Sequence, residues 1–172
     1  VYLAGDMGEA RNKLTNYLSN FDKGYNRTEA LFYLSDCHMY LNDNSSALQT
    51  MEELFTHGRN QYTERVLDVY ARMSFDMDLF DKSAKAYRSL YDEAHDKNKR
   101  REASEGYVEA TALTEDSAAI KSMYADIASM TDATEWARRY AQLVMADVLR
   151  KEGSSEAIDL YAALADDPST EE

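Results

Sequence analysis

The sequence predicts an all-α fold in which antiparallel helical hairpins repeat along the chain. Three observations support this prediction. Only one Pro and six Gly occur among 172 residues, so few positions break or weaken a helix. Apolar residues recur at helical spacing between short turn clusters, as in the stretch 28–41. Five segments resemble one another at intervals of 36 or 37 residues, a period that indicates a helical repeat protein.

An anchor residue in the second helix of each hairpin marks the repeat. Most of the five segments place a small residue four positions before a larger apolar one. The small residue lets two helices approach closely, and the larger one fills the space beside them. A single hairpin cannot bury its apolar face alone, so neighbouring hairpins must stack. The anchors are Ala10, Ala47, Ser83, Ile120 and Ala157.

The elements follow in order along the chain. Residues 1–22 match only the second helix of a repeat, through Ala10, Leu14 and Tyr17. Four full hairpins are then predicted, and their bounds are 27–57, 62–95, 99–129 and 132–165. The third is the least regular, because Gly106 falls in the middle of a helix.

The last residues, 166–172, end one helix and begin another. Ser169 and Glu172 have the spacing of a capping box, which marks a helix start. A self-contained array normally ends in a polar capping helix. We therefore expect this chain to be a segment of a longer repeat array.

The last hairpin resembles the tetratricopeptide repeat family. Gly153, Ala157, Tyr161, Leu164 and Pro168 look like the turn, small, aromatic, packing and closing-proline positions of that repeat. The first full hairpin also matches, and the family's first-helix Gly is replaced in all four hairpins. The matching residues are Leu31, Leu34, Ala47, Met51 and Leu54, and the replacements are Ser35, Ala71, Val108 and Met145.

The resemblance implies a right-handed superhelix whose first helices line a concave groove that binds peptides or partner helices. Acidic, tyrosine-rich arrays also resemble long bacterial repeat proteins of the cell envelope, which implies a periplasmic or envelope location. Each groove position has the alternative of a solvent-facing or packing role. The groove positions that the resemblance gives are Phe32, Asp36, Met39, Tyr40, Asp68, Arg72, Phe75, Asp76, Glu105, Glu109, Gln142, Ala146, Leu149 and Arg150.

The acidic charge of the groove positions and of the whole chain disfavours several classes of partner. Repeat domains of this family that grip chaperone carboxylates use Lys, Arg and Asn, but most matching positions here are acidic, so a carboxylate ligand would be repelled. A basic or amphipathic protein or peptide suits the groove better. The net charge of −13 disfavours nucleic acids and anionic membrane surfaces. No apolar run approaches the roughly 18 residues of a membrane span.

No pattern in the sequence indicates catalysis, a metal or a cofactor. The three histidines, His38, His57 and His95, have no ligand spacing from one another. Cys37 and His38 are adjacent, and we interpret them as a buried thiol and a packing imidazole. The basic run 97–101 is interpreted as a solvated helix face.

The sequence therefore predicts a scaffold for protein–protein interaction and not an enzyme. Two alternatives stay open. The repeats could be the frame of a larger glycan-binding, nutrient-binding or cell-wall-active envelope protein, or they could be a purely structural spacer.

Overall fold

The computed structural model describes residues 6–21 and 23–165. These residues form nine α-helices and no strand, which confirms the predicted all-α class. The predicted new repeat at 166–172 lies outside the described residues, as do 1–5 and Asp22 of the predicted first segment. In chain order the helices are α1 (Met7–Asn20), α2 (Arg27–Tyr40), α3 (Asn44–Thr56), α4 (Thr63–Asp76), α5 (Phe80–Glu93), α6 (Lys97–Leu113), α7 (Ser117–Ser129), α8 (Glu135–Lys151) and α9 (Glu156–Ala165).

Four residues with left-handed backbone reverse the chain after α2, α4, α6 and α8. We call these four the turn residues: Asn42, Asp78, Glu115 and Gly153, with φ of 58°, 57°, 56° and 75°. In the first of these turns the N–H of Asn42 donates to the carbonyl of Met39 and the N–H of Asp43 to that of His38. Such bonds satisfy the last carbonyls of a helix and stop it. The turn residues give the four first helices, α2, α4, α6 and α8, a common register.

The predicted anchors are all buried. Ala10, Ala47, Ser83, Ile120 and Ala157 each lie in a second helix, in α1, α3, α5, α7 and α9 respectively, and none is more than 4% exposed. Four of the five anchors are small, Ile120 being the exception, and small side chains allow two helices to approach closely.

The chain divides into two compact units, Val1–Met73 and Ser74–Glu172, with the boundary inside α4. In the first unit α2 packs against both α1 and α3. The hydroxyl of Tyr70 in α4 donates to Glu52 of α3 at 2.5 Å. The largest fully buried side chains of this unit are Leu31, Met51, Leu54 and Val66.

In the second unit α6 packs against α5, α7 and α8, and α8 also packs against α7 and α9. Gly106 of α6 is buried beneath the ring of Tyr87 from α5. The irregularity that Gly106 introduces into the sequence is thus a point of close helix contact. The largest fully buried side chains here are Leu90, Met123, Ile127 and Val108.

Arginines at one repeated position tie consecutive hairpins together. Each lies in the first turn or two of a first helix, at the same distance from its turn residue, and donates to carbonyls at the end of the preceding second helix. The bonds are Arg27 to Leu18 at 3.0 Å, Arg100 to Ala94 at 2.8 Å and Arg138 to Ile127 at 3.0 Å. A cation at a helix C-terminus is favourable for the helix dipole. The basic run 97–101 therefore includes a structural residue, Arg100, and is not only a solvated face.

Candidate interaction surface

The turn residues place the first helices in a shared register, and this register defines equivalent positions within each unit. In the first unit these are Phe32 and Asp36 of α2 with Asp68 and Arg72 of α4, and in the second unit Glu105 and Glu109 of α6 with Leu143 and Asp147 of α8. We call each set the first-helix face of its unit. All except Phe32 are half-buried or exposed. These positions include the predicted groove residues of the first three hairpins, Phe32, Asp36, Asp68, Arg72, Glu105 and Glu109.

In α8 the predicted positions and the outward face differ by one residue. Ala146 and Leu149 are buried, and the side-chain amide of Gln142 donates to the carbonyl of Leu160 in α9 at 3.0 Å. Leu143 and Asp147 take the outward positions. The shift arises because 38 residues separate the turn residues Glu115 and Gly153, one more than the 37 that separate the predicted positions Glu105 and Gln142. Arg150 is exposed and lies 3.5 Å from Asp147.

In the first unit, Phe32 is covered by Tyr62, which precedes α4, and by Arg65 of α4. Its ring stacks on Tyr62 with 4.3 Å between centroids, and the guanidinium of Arg65 lies 5.0 Å above it. Arg65 also reaches Asp36 at 3.8 Å. These contacts bring α2 and α4 side by side and leave Phe32 only 6% exposed. Phe32 is therefore a packing residue beneath this surface, and little of its side chain is accessible to a partner.

The accessible predicted residues of the first unit are Tyr40 at the end of α2 and Arg72 in the middle of α4. Tyr40, the last residue of α2, is 68% exposed, whereas Met39 beside it is half-buried. Asp68 and Arg72 form an ion pair at 3.0 Å along α4, and the Arg72 side chain is mostly exposed. Tyr40 and Arg72 are thus the predicted site residues that a partner of this unit would meet first.

In the second unit, Glu105 and Glu109 stand one turn apart on α6. Neither forms an ion pair within the described part of the chain. Phe75, also predicted as a groove residue, is half-buried, and its ring meets that of Phe80 edge-on at 5.5 Å. The acidic side chains of α6 are therefore open to a partner, while Phe75 packs locally.

An aromatic and apolar stripe on α8 was not identified from the sequence. Trp136, Tyr140 and Leu143 follow one another at helical spacing, and the rings of Trp136 and Tyr140 lie 5.1 Å apart. Trp136 is 46% exposed and Leu143 40%. The N–H of Thr134 donates to the Ser104 hydroxyl at 3.3 Å, which places the start of α8 beside the middle of α6.

Each unit has a cleft among its described residues. The cleft of the first unit, about 410 Å³, is lined by Tyr25, Asn26, Thr28, Glu29, Asn60, Gln61 and Tyr62. The cleft of the second unit, about 380 Å³, opens among α5, α6 and α7, with Tyr107 and Arg88 in its wall.

The ionisable groups around the second cleft are bonded to one another. The Tyr107 hydroxyl donates to Asp126 at 2.9 Å, and burial together with that bond raises the pKa of Tyr107. Arg88 lies 3.5 Å from Asp126 and 2.6 Å from Asp92. Burial alone would lower the pKa of Arg88, but the bond to Asp92 and both carboxylates outweigh it and raise the pKa. This network joins α5, α6 and α7.

Cys37 and His38 are packing residues in the first unit. Cys37 is fully buried, and burial, followed by the charge of Asp36, raises the pKa of its thiol. Nδ1 of His38 lies 3.5 Å from Asp43, yet burial lowers the pKa of the imidazole. Residues 6–21 and 23–165 contain no group of three His, Cys, Asp or Glu arranged to hold a metal ion. Within the same residues, no helix has the length and apolar character to cross a membrane.

Comparison of the chain with protein-family models, with curated proteins and with solved structures gave no match.

Proposed function

We propose that this chain is a tetratricopeptide-like scaffold, a right-handed superhelix of antiparallel hairpins, that binds a protein or peptide partner through the first-helix faces of its units. The observation that carries the proposal is that, within each unit, one first helix contacts the next. In the first unit Phe32 and Asp36 of α2 contact Arg65 of α4, and Phe32 also contacts Tyr62, which precedes α4. In the second unit α6 packs against α8.

Adjacent first helices in one register provide a binding surface by simple geometry. Equivalent positions on neighbouring hairpins face the same way, so their side chains form rows across the helices. Extended concave surfaces of this type are what helical arrays use to bind partners. The rows here mix carboxylates with exposed rings, such as Tyr40 in α2 and Trp136 in α8, and aromatic residues are enriched in protein interfaces.

We propose no reaction for the chain. Tyr107 and Arg88, whose pKa values are both raised, are bonded to Asp126 and Asp92 and link helices together. Perturbed pKa values of this origin are expected in structural ion-pair networks as well as in active sites.

Affinity capture with paired surface variants tests the proposal. One variant combines Tyr40→Ala with Arg72→Ala and a second combines Glu109→Ala with Leu143→Ala, all at exposed positions of first helices. The control combines Gln49→Ala with Ala125→Ser on the exposed sides of α3 and α7. We expect the first-helix variants to lose partners that the control retains. Equal capture by all variants would favour the structural spacer, and turnover of a substrate by this chain alone would contradict the proposal.

The cleft of the first unit favours one second candidate, a glycan-binding role. Tyr25 is fully exposed, and Tyr62 lines the same cleft together with the amides of Asn26, Asn60 and Gln61. Aromatic faces cover the C–H surfaces of sugars, and amides offer both donors and acceptors to hydroxyl groups. Calorimetry with neutral oligosaccharides tests it. Binding that Tyr25→Ala removes would support this role, and absence of heat at millimolar ligand would exclude it.

A further inference from the structure

Trp136, the half-buried Tyr140 and Leu143 lie at helical spacing along α8, and we call these three residues the α8 stripe. Two of them keep 46% and 40% of their surface exposed, and the two rings contact each other. Contiguous exposed apolar surface on a soluble domain marks a site of association. Trp and Tyr are also the residues most often found at the energetic centre of interfaces.

An acidic pair, Glu105 and Glu109, accompanies the α8 stripe on the neighbouring helix α6. Ser104, which precedes Glu105, accepts the bond from Thr134 at the start of α8, so this part of α6 adjoins the first turn of the stripe. Glu105 occupies the same register position in α6 as Leu143 in α8. The pair and the stripe therefore face the same side.

The charge of the acidic pair is not compensated within the described residues. Like charges one turn apart destabilise a helix, and neither carboxylate has an ion-pair partner there. Other charges nearby are compensated locally. Glu102 binds Lys99 at 3.1 Å, Arg150 lies 3.5 Å from Asp147, and Arg139 has an interaction of its own. The surface therefore presents an apolar row beside a row of negative charge.

We propose that this surface docks an amphipathic basic α-helix of a partner protein. The apolar residues of that helix cover Trp136, Tyr140 and Leu143, and its Lys or Arg side chains pair with Glu105 and Glu109. The inference rests on the proposed function and names the chemistry of its partner. Side chains at helical spacing form a ridge along α8. An amphipathic helix can pack its apolar face against such a ridge. A second copy of the chain is a poor occupant, because each copy carries a net charge of −13.

The tryptophan of the stripe makes the test direct, because Trp136 is the only one in the chain. The probe is a synthetic helix of about 18 residues with Leu along one face and Lys beside it, a length of five turns. Its counterpart carries Glu in place of Lys, and a third peptide has the Lys sequence scrambled. We expect only the Lys helix to shift Trp136 emission to shorter wavelength and to protect it from acrylamide.

Calorimetry on variants of the full chain then assigns the binding to the surface. Leu143→Ser should weaken the Lys helix about tenfold, as removal of a buried anchor does. Glu105→Gln with Glu109→Gln should weaken it about three- to tenfold at low salt and reduce the salt dependence. The matched controls are Ile158→Ser, an exposed apolar residue of α9, and Glu115→Gln with Glu156→Gln, which remove the same charge elsewhere. These controls should bind as the wild type does.

The inference is overturned if the Glu counterpart binds as tightly as the Lys helix, or if the control pair weakens binding as much as the α6 pair. Binding that depends on Tyr40 and Arg72 and ignores Leu143 also overturns it, but this result leaves the proposed function intact. The capture experiment with first-helix variants decides the proposed function separately, because it does not depend on the charge of the partner.

Discussion

Replacing Gly106 with Ala probes the closest helix contact of the second unit. A Cβ built on Gly106 would lie 2.5 Å from Cζ of Tyr87 and 2.6 Å from Cε1 and Cε2. Carbon atoms in contact prefer about 3.5–4.0 Å. The tyrosine ring must therefore move by about 1 Å to admit a methyl group, and α5 and α6 hold it on both sides.

Two opposed terms set the expected size of the effect. Overpacking of a core typically costs about 1–3 kcal/mol, whereas Ala is better than Gly in a helix interior by about 1 kcal/mol. Gly106→Ala should thus lower the free energy of unfolding by about 0–2 kcal/mol. In a Tyr87→Leu background the obstructing ring is gone, so the same change should raise the free energy of unfolding by about 1 kcal/mol. The coupling between the two sites is then about 1–3 kcal/mol.

Urea denaturation followed by Trp136 fluorescence measures all four proteins of this cycle, because Trp136 reports on the same unit. Comparison of midpoints at equal slope gives the stability differences. The reasoning is refuted if Gly106→Ala stabilises the chain by about 1 kcal/mol whether or not Tyr87 is present, since the ring would then not lie against the glycine.

Four further substitutions test the hairpin links, the turns and a half-buried imidazole. Arg138→Met removes bonds to the end of α7 and should cost about 1–3 kcal/mol in urea denaturation; an unchanged midpoint would contradict the link. At equivalent turns, Glu115→Gly should gain about 0.5 kcal/mol and Gly153→Ala lose about 1 kcal/mol, because only glycine adopts positive φ without strain; thermal melts with shifts of the same sign would contradict this. Burial lowers the pKa of His38 below its usual 6.5, so the unfolded chain binds the proton more readily. Stability should be complete above pH 6.5 and decline toward pH 5, and His38→Gln should remove that decline; equal slopes in both proteins would contradict it.

The sequence contains enough to predict the helical class and the burial of the anchors. Scarce Gly and Pro favour helices, and small side chains return where two helices must approach, as Ala47 and Ala157 do, both now buried. Local composition carries this information. From the sequence alone, Gly106 looks like an irregularity in a helix. Its role is to leave room for the ring of Tyr87 from another helix, and no local sequence pattern reveals that contact.

The accessible surface was harder to predict. Phe32 looks like a groove residue along its own helix, but Tyr62, which precedes α4, and Arg65 of α4 cover it. The outward positions of α8 are displaced by one residue from the predicted ones, because 38 residues separate Glu115 from Gly153 and the repeat of the anchors is 36 or 37. The spacing of Trp136 and Leu143 is visible in the sequence, yet their exposure is a tertiary property that spacing alone does not give.

Site-specific photo-cross-linking tests the central claim most directly. A benzophenone side chain is placed at Tyr40 or Glu109 on first helices and at Gln49 or Ala125 on second helices, all of them exposed positions. Incubation with a partner obtained by affinity capture and irradiation should then give cross-linked polypeptide only from Tyr40 or Glu109. Cross-linking from Gln49 and Ala125 with none from the first helices would contradict the account.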